Sequence, residues 1–161
     1  MNLQEELSAR IQGNVVIMGI GNPCRGDDAA GSLVARQISD APGVRAIDAQ
    51  DVPEHYLSLA VKAKPDAVVL IDSVDLNSPP GSIALLEQDQ VARYWPSTHR
   101  VPMSLLMNYL ERESGAPIFL IAIQPRQTVF MGPVSEEVDA SIACIAGMLN
   151  RVLETRRMPH G

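Results

Sequence analysis

Apolar positions in this chain come in short unbroken runs that stop at glycine, proline or an acid. Residues 14–20 form a β-branched run ended by Gly21-Asn22-Pro23, the pattern of a strand buried on both faces of a parallel sheet. Ala29, Ala30, Leu33, Val34 and Ile38 follow at helical spacing, which predicts an amphipathic helix with Asp27 and Asp28 at its N-cap and first turn. Pro42-Gly43 closes that helix, and residues 44–47 make a second strand ending at Asp48. A short helix opens near Pro53, since proline suits the first helical position, and runs through Tyr56, Leu57 and Ala60. Ala67-Val68-Val69-Leu70-Ile71 is the clearest strand and stops at Asp72.

Beyond it, Asn77-Ser78-Pro79-Pro80-Gly81 is a dense turn signal. The strand predicted at 82–86 follows too closely for a helical crossover, so it should be antiparallel and near an edge. Residues 94–100 read as a loop, and Pro102 opens a helix through Leu105, Leu106, Tyr109 and Leu110. Residues 118–123 make a fifth strand broken by Pro125, and Ser135-Glu136-Glu137 caps a final helix over 138–153. Strands alternating with helices predict a three-layer α/β/α sandwich around a five-stranded, mostly parallel sheet with one antiparallel strand. With 161 residues and 46% hydrophobic content, the chain suits one domain over 1–161. Its core is expected over about 14–154, between a short N-terminal extension and a C-terminal tail.

The longest apolar runs, 67–71 and 118–123, fall far below the ~20 residues that span a bilayer. Residues 1–13 carry Glu5, Glu6 and Arg10 where a secretory signal needs an apolar run, so a cytoplasmic protein without membrane insertion is expected. Cys24 and Cys144 stand 120 positions apart, one in a loop and one on what reads as an apolar helix face; that is no disulfide framework. A net charge of -6 opposes a polyanionic partner, so no nucleic acid is expected. Arg151, Arg156 and Arg157 read as a helix end and a frayed tail.

In a doubly wound sheet, functional groups collect beyond the carboxyl ends of the strands. Three strand ends deliver acids here: Asp27-Asp28, Asp48 and Asp72; His99 lies in a later loop. Two carboxylates and an imidazole suit a divalent transition metal with open positions for water or substrate. Each residue has a plainer role: Asp27 as helix cap, Asp28 on the helix dipole, Asp72 as a turn former with Asp75, His99 as a solvated side chain. Glu54 and His55 are adjacent and lack zinc-helix spacing. Arg25 and Arg126 are free to pair with these acids or with a partner's carboxylate. Gly19-Ile20-Gly21 superficially mimics a dinucleotide fingerprint, but Gly26 comes too late, and Asp27-Asp28 put negative charge where a pyrophosphate would sit. Ser73, Ser104 and Cys24 are candidate nucleophiles, yet no G-x-S-x-G elbow is present.

Taken together, Gly19-Ile20-Gly21-Asn22, Gly26-Asp27-Asp28, Leu70-Ile71-Asp72 and Thr98-His99-Arg100-Val101-Pro102 resemble the hydrogenase maturation endopeptidases. The resemblance covers residues 15–153 and is most specific in the first loop, in Thr98-His99 leading to Pro102, and in Ile123-Gln124-Pro125. The last two segments, with Pro53-Glu54, look like the branch that processes hydrogenases of formate-hydrogenlyase type, although Ala49-Gln50 replaces the paired glycines often found there.

The resemblance implies a phosphorylase/hydrolase-like sandwich and, by position, the metal ligands Asp28, Asp72 and His99, which leaves Asp27 free to cap. It implies an endopeptidase that removes the C-terminal extension of a nickel-loaded large-subunit precursor of a nickel–iron hydrogenase. The nickel would come with the precursor, and another divalent metal would be able to occupy the site in isolated protein. Such enzymes are sometimes grouped with aspartic-type endopeptidases, but two carboxylates sharing a proton would leave His99 unexplained. Two other readings stand beside this one: a peptidyl-tRNA-hydrolase-like enzyme, echoed by Gly19-Ile20-Gly21-Asn22-Pro23, and a noncatalytic metal-sensing chaperone module.

Overall fold

The computed structural model describes residues 1–94 and 101–158. Five strands form one sheet: β1 (Val15–Ile20), β2 (Val44–Gln50), β3 (Ala67–Ser73), β4 (Ile83–Leu86) and β5 (Ile118–Ile123). Their order across the sheet is β2-β1-β3-β5-β4. Every neighbouring pair is parallel except β4 with β5, so the short strand is antiparallel and at an edge, as its close connection to β3 requires.

Successive side chains of a strand point to opposite faces, and the core divides accordingly. On one face Val15, Ile17, Val69, Ile71, Phe119 and Ile121 meet α1 (Leu3–Arg10), α2 (Ala30–Arg36) and α6 (Glu136–Thr155). On the other, Val16, Met18, Val68, Leu70 and Leu120 meet α3 (Leu57–Lys62), α4 (Gln88–Tyr94) and α5 (Met103–Ser114). That is the three-layer sandwich. Because β1, β3 and β5 are covered on both faces, every position of β1 and β5 is buried, which is why their sequences are continuous apolar runs rather than alternating ones.

In α6, Ser135 accepts the Val138 N–H and caps the helix as expected. Packing outweighs the cap: Val138, Ile142, Ile145, Leu149 and Val152 are buried at about 1.5–3 kcal/mol each, against about 0.5–2 kcal/mol for the cap.

Several expectations need correction. The core is not confined to 14–154, because residues 1–13, expected as a short extension outside it, contribute to it: Leu3–Arg10 is helical and begins with an Asn2–Glu5 capping box, and Leu7 and Ile11 are fully buried. The basic tail is held rather than frayed, because Arg156 donates to the carbonyls of Gly13, Leu153 and Pro42, and Arg151 donates to Gln4. Gln88–Tyr94 is a helix that the sequence did not announce, since Val91 is its one buried residue among the described side chains; it takes Tyr94 out of the expected 94–100 loop, and the rest of that loop lies outside the described residues. β2 continues to Gln50, so Asp48 is inside the strand rather than at its end. The helix before it stops at Arg36, well short of Pro42-Gly43. Cys144 is exposed, on the solvent side of α6 rather than its apolar face, and Cys24 is exposed in its loop; both are free. Among the described residues no helix is long and apolar enough to cross a membrane.

Candidate active site

β1 lies between β2 and β3, and the connection after β1 runs to one side of the sheet while the connection after β3 runs to the other. The carboxyl ends of β1 and β3 therefore flank the crevice that such a reversal of strand order opens. A cavity of about 290 Å³ occupies it, with Asn22, Asp28, Asp51, Glu54, Asp72 and Ser73 among its polar lining and Ile20, Val101, Met103 and Leu106 as apolar walls.

The first loop reaches this cavity through a close approach of backbones. Gly31, in the first turn of α2, has no side chain because a Cβ there would come within 2.2 Å of the carbonyl oxygens of both Ile20 and Ile71. The start of α2 is thus pressed onto the ends of β1 and β3, and the preceding 3₁₀ turn, Gly26–Ala29, carries Asp28 to the cavity.

Asp28 is half-buried and uses both carboxylate oxygens: Oδ2 accepts the Asn22 N–H at 3.1 Å and Oδ1 accepts the Ser73 hydroxyl at 3.0 Å. Asp72 is 5% exposed and accepts the N–H of its own neighbour Ser73 at 2.7 Å. Burial first, and then the charge of Asp28, push its carboxyl well above the ordinary range, while the Ser73 N–H opposes the rise. Neither acid forms an ion pair among the described residues. An acidic, partly desolvated pair of this kind is chemically suited to a cation.

Asp27 does not cap α2. Ala29 is the N-cap residue and no side chain caps that helix; Asp27, with 0% exposure, instead accepts the N–H groups of Arg126, Gln127 and Ser135 and the Ser135 hydroxyl. Its partners lie about a hundred residues downstream, so the plainer local role loses to a tertiary one. Asp48 is likewise committed elsewhere. Burial alone would raise its carboxyl, but the Ser32 hydroxyl at 2.6 Å and the Arg36 guanidinium at 2.8 Å hold it below the usual range. The Arg126 guanidinium pairs with Glu137, and that of Arg25, on the cavity rim, lies over the Phe130 ring at 5.7 Å.

The structure brings together two of the three sequence-nominated ligands, Asp28 and Asp72; His99 lies outside the described residues. Among the described residues no group of three or more His, Cys, Asp or Glu side chains is placed to hold a metal ion.

The family model described as hydrogenase maturation protease matches residues 30–152. The chain belongs to that family. It is a hydrogenase maturation endopeptidase, a peptide-bond hydrolase, and the peptidyl-tRNA-hydrolase and noncatalytic readings give way. The match includes Asp72 and His99 and begins two positions after Asp28. The chain is 29% identical to the hydrogenase 3 maturation protease of Escherichia coli K12 over 133 residues, covering 81% of this chain and 85% of that one. Among solved structures it is similar to the NiFe hydrogenase maturation protease HycI of Thermococcus kodakarensis KOD1, with a TM-score of 0.85, 29% identity and coverage of 95% and 99% of the two chains. It is also similar to the endopeptidase HycI of Escherichia coli, with a TM-score of 0.77, 26% identity and coverage of 89% and 92%.

In this maturation protease, sequence reasoning missed the residues that organise the acids. Ser73 was visible only as a candidate nucleophile, yet it donates to both carboxylates. Asn22 not only donates its N–H to Asp28 but accepts the Cys24 N–H on its side chain, an Asx turn that asparagine after a strand could have announced. Gln124, noted only as part of a motif, is buried and accepts the Leu76 N–H at 2.6 Å, which ties down the chain that leaves β3.

Proposed function

We propose that this endopeptidase removes the C-terminal extension of a nickel-loaded precursor of a nickel–iron hydrogenase large subunit in the cytoplasm, and that Asp28, Asp72 and His99 grip the nickel carried by that precursor. The nickel arrives as part of the substrate; another divalent cation is able to take its place in isolated protein. The supporting observation is the pair Asp28 and Asp72, adjacent in one cavity at the switch in strand order, with Asp72 buried and neither acid in an ion pair among the described residues. Two uncompensated carboxyls in a partly apolar cavity are unfavourable unless protonated or shared with a cation.

In this reading the chain's own residues position. Asp28 on the 3₁₀ turn and Asp72 at the end of β3 fix the ion, and holding the ion holds the adjoining peptide within reach, which converts cleavage into an effectively intramolecular event. A bound divalent ion supplies Lewis acidity toward a carbonyl or a water. The apolar walls at Ile20, Met103 and Leu106 restrict water around the acids and strengthen every electrostatic contact there.

The test is cleavage of matched nickel-loaded and nickel-free precursors, read by mass spectrometry. Loss of the extension only from the loaded form is expected. Equal rates on both would overturn nickel-centred recognition and leave the raised carboxyl of Asp72 beside Asp28 to act as a proton-sharing pair of the aspartic type.

A further inference from the structure

Among the described residues, Ser73 alone hydrogen-bonds to both Asp28 and Asp72. Its N–H donates to Asp72 Oδ1 at 2.7 Å and its hydroxyl donates to Asp28 Oδ1 at 3.0 Å. As the last residue of β3, its backbone has little freedom. Ser73 is registered against Ile123 of β5, and the next residue, Val74, donates its N–H to the Ile123 carbonyl at 3.0 Å. The side chain therefore spans from a rigid strand end to the 3₁₀ turn that carries Asp28.

We propose that Ser73 is a positioning residue that sets the separation and rotation of the two carboxylates so that both address a single divalent cation; this rests on the nickel-gripping reading above. Two like charges in a partly apolar cavity repel, and a carboxylate on a turn would swing away from its neighbour unless held. Asp28 is held at both oxygens, by the Asn22 N–H and the Ser73 hydroxyl, which limits its rotation. The serine donates its only hydroxyl proton to Asp28, the bond by which a hydrogen-bonded outer partner orients a ligand; the same contact would serve an activated nucleophile, and the experiment separates the two.

The experiment compares the wild-type chain with Ser73→Ala and Ser73→Thr. The readouts are titration calorimetry with Ni²⁺ on the isolated protein, and KM and kcat on nickel-loaded precursor. Loss of an outer-shell partner weakens metal sites by about 10–100-fold, so Ser73→Ala is expected to weaken Ni²⁺ binding and raise KM by at least about tenfold. Threonine keeps the hydroxyl and suits a strand, and is expected to restore both values to within about threefold. A wild-type Ni²⁺ site that Ser73→Ala leaves within threefold overturns the assignment, as does failure of threonine to restore the site. A collapse of kcat with Ni²⁺ affinity intact overturns it in favour of a nucleophilic Ser73. Wild-type cleavage that ignores nickel, with Asp28→Ala and Asp72→Ala still active, sinks the underlying nickel reading instead.

Discussion

The carboxylate of Asp27 accepts both the main-chain N–H and the hydroxyl of Ser135, at 2.7 and 2.8 Å, so one buried acid joins the first loop to the N-cap of α6. The same carboxylate takes the Arg126 and Gln127 N–H groups at 2.8 and 3.3 Å. Four donors from the segment between β5 and α6 thus converge on the residue next to Asp28.

Asp27→Ala should therefore be costly to stability. A lost helix cap would remove about 0.5–2 kcal/mol, whereas stranding several part-buried donors removes about 1–3 kcal/mol for each that water cannot reach. The expected loss is about 3 kcal/mol or more, with Asp27→Asn milder because the amide still offers one oxygen. Urea unfolding midpoints at constant slope measure it. A loss below about 1 kcal/mol would mean that water replaces the carboxylate at these donors.

How legible this was depends on how local each determinant is. β3 could be read from Ala67-Val68-Val69-Leu70-Ile71 alone, because burial on both faces writes itself directly into composition. The antiparallel edge strand followed from a connection too short to cross over. Asp27 and Asp28 look alike in sequence, and only partners about a hundred residues away separate a tie from a cavity acid. The N-terminal helix was legible in principle: Asn2 and Glu5 have capping-box spacing, and Leu3, Leu7 and Ile11 repeat every four residues. α4 left almost no signal, since Val91, its one buried residue among the described side chains, makes no stripe. Asp72 stood out as the stop of an apolar run, but its exchange with Asp28 through Ser73 depends on the close approach of α2 to two strand ends, which no spacing in the chain reports.

Gly31→Ala tests that close approach. The added Cβ would lie 2.2 Å from backbone oxygens of both Ile20 and Ile71, and neither can yield without disturbing β1 or β3. Overpacking of this kind typically removes about 1–3 kcal/mol, which helix propensity, favouring alanine by about 1 kcal/mol, only partly offsets. α2 must lift, and the turn bearing Asp28 lifts with it, so cleavage should fall more than stability does. Thermal unfolding together with precursor cleavage checks both. A variant as stable and as active as wild type would mean that α2 is not pinned to the strand ends.

Asp72 should trade stability for function in a pH-dependent way. Burial and the neighbouring charge of Asp28 raise its carboxyl well above the ordinary range, so the unfolded chain gives up this proton at lower pH than the folded one. Below the unfolded value of about 3.9 the residue is protonated in both states, and Asp72→Asn should then match wild type closely. As pH rises past that value the unfolded state ionises first. The folded wild type loses stability until the pH passes the raised folded value, and beyond that point the deficit stays constant. Asparagine never ionises, so at neutral pH the variant should be the more stable protein, by about 0.5–2 kcal/mol in keeping with other relieved functional sites, while cleavage of nickel-loaded precursor is lost. Denaturant unfolding of both proteins across pH 3–8 in the absence of divalent cations gives the difference curve directly. A flat curve, or one in which wild type gains on the variant as pH rises, would mean that Asp72 is compensated by a positive group in the folded protein and is not an acid waiting for a cation.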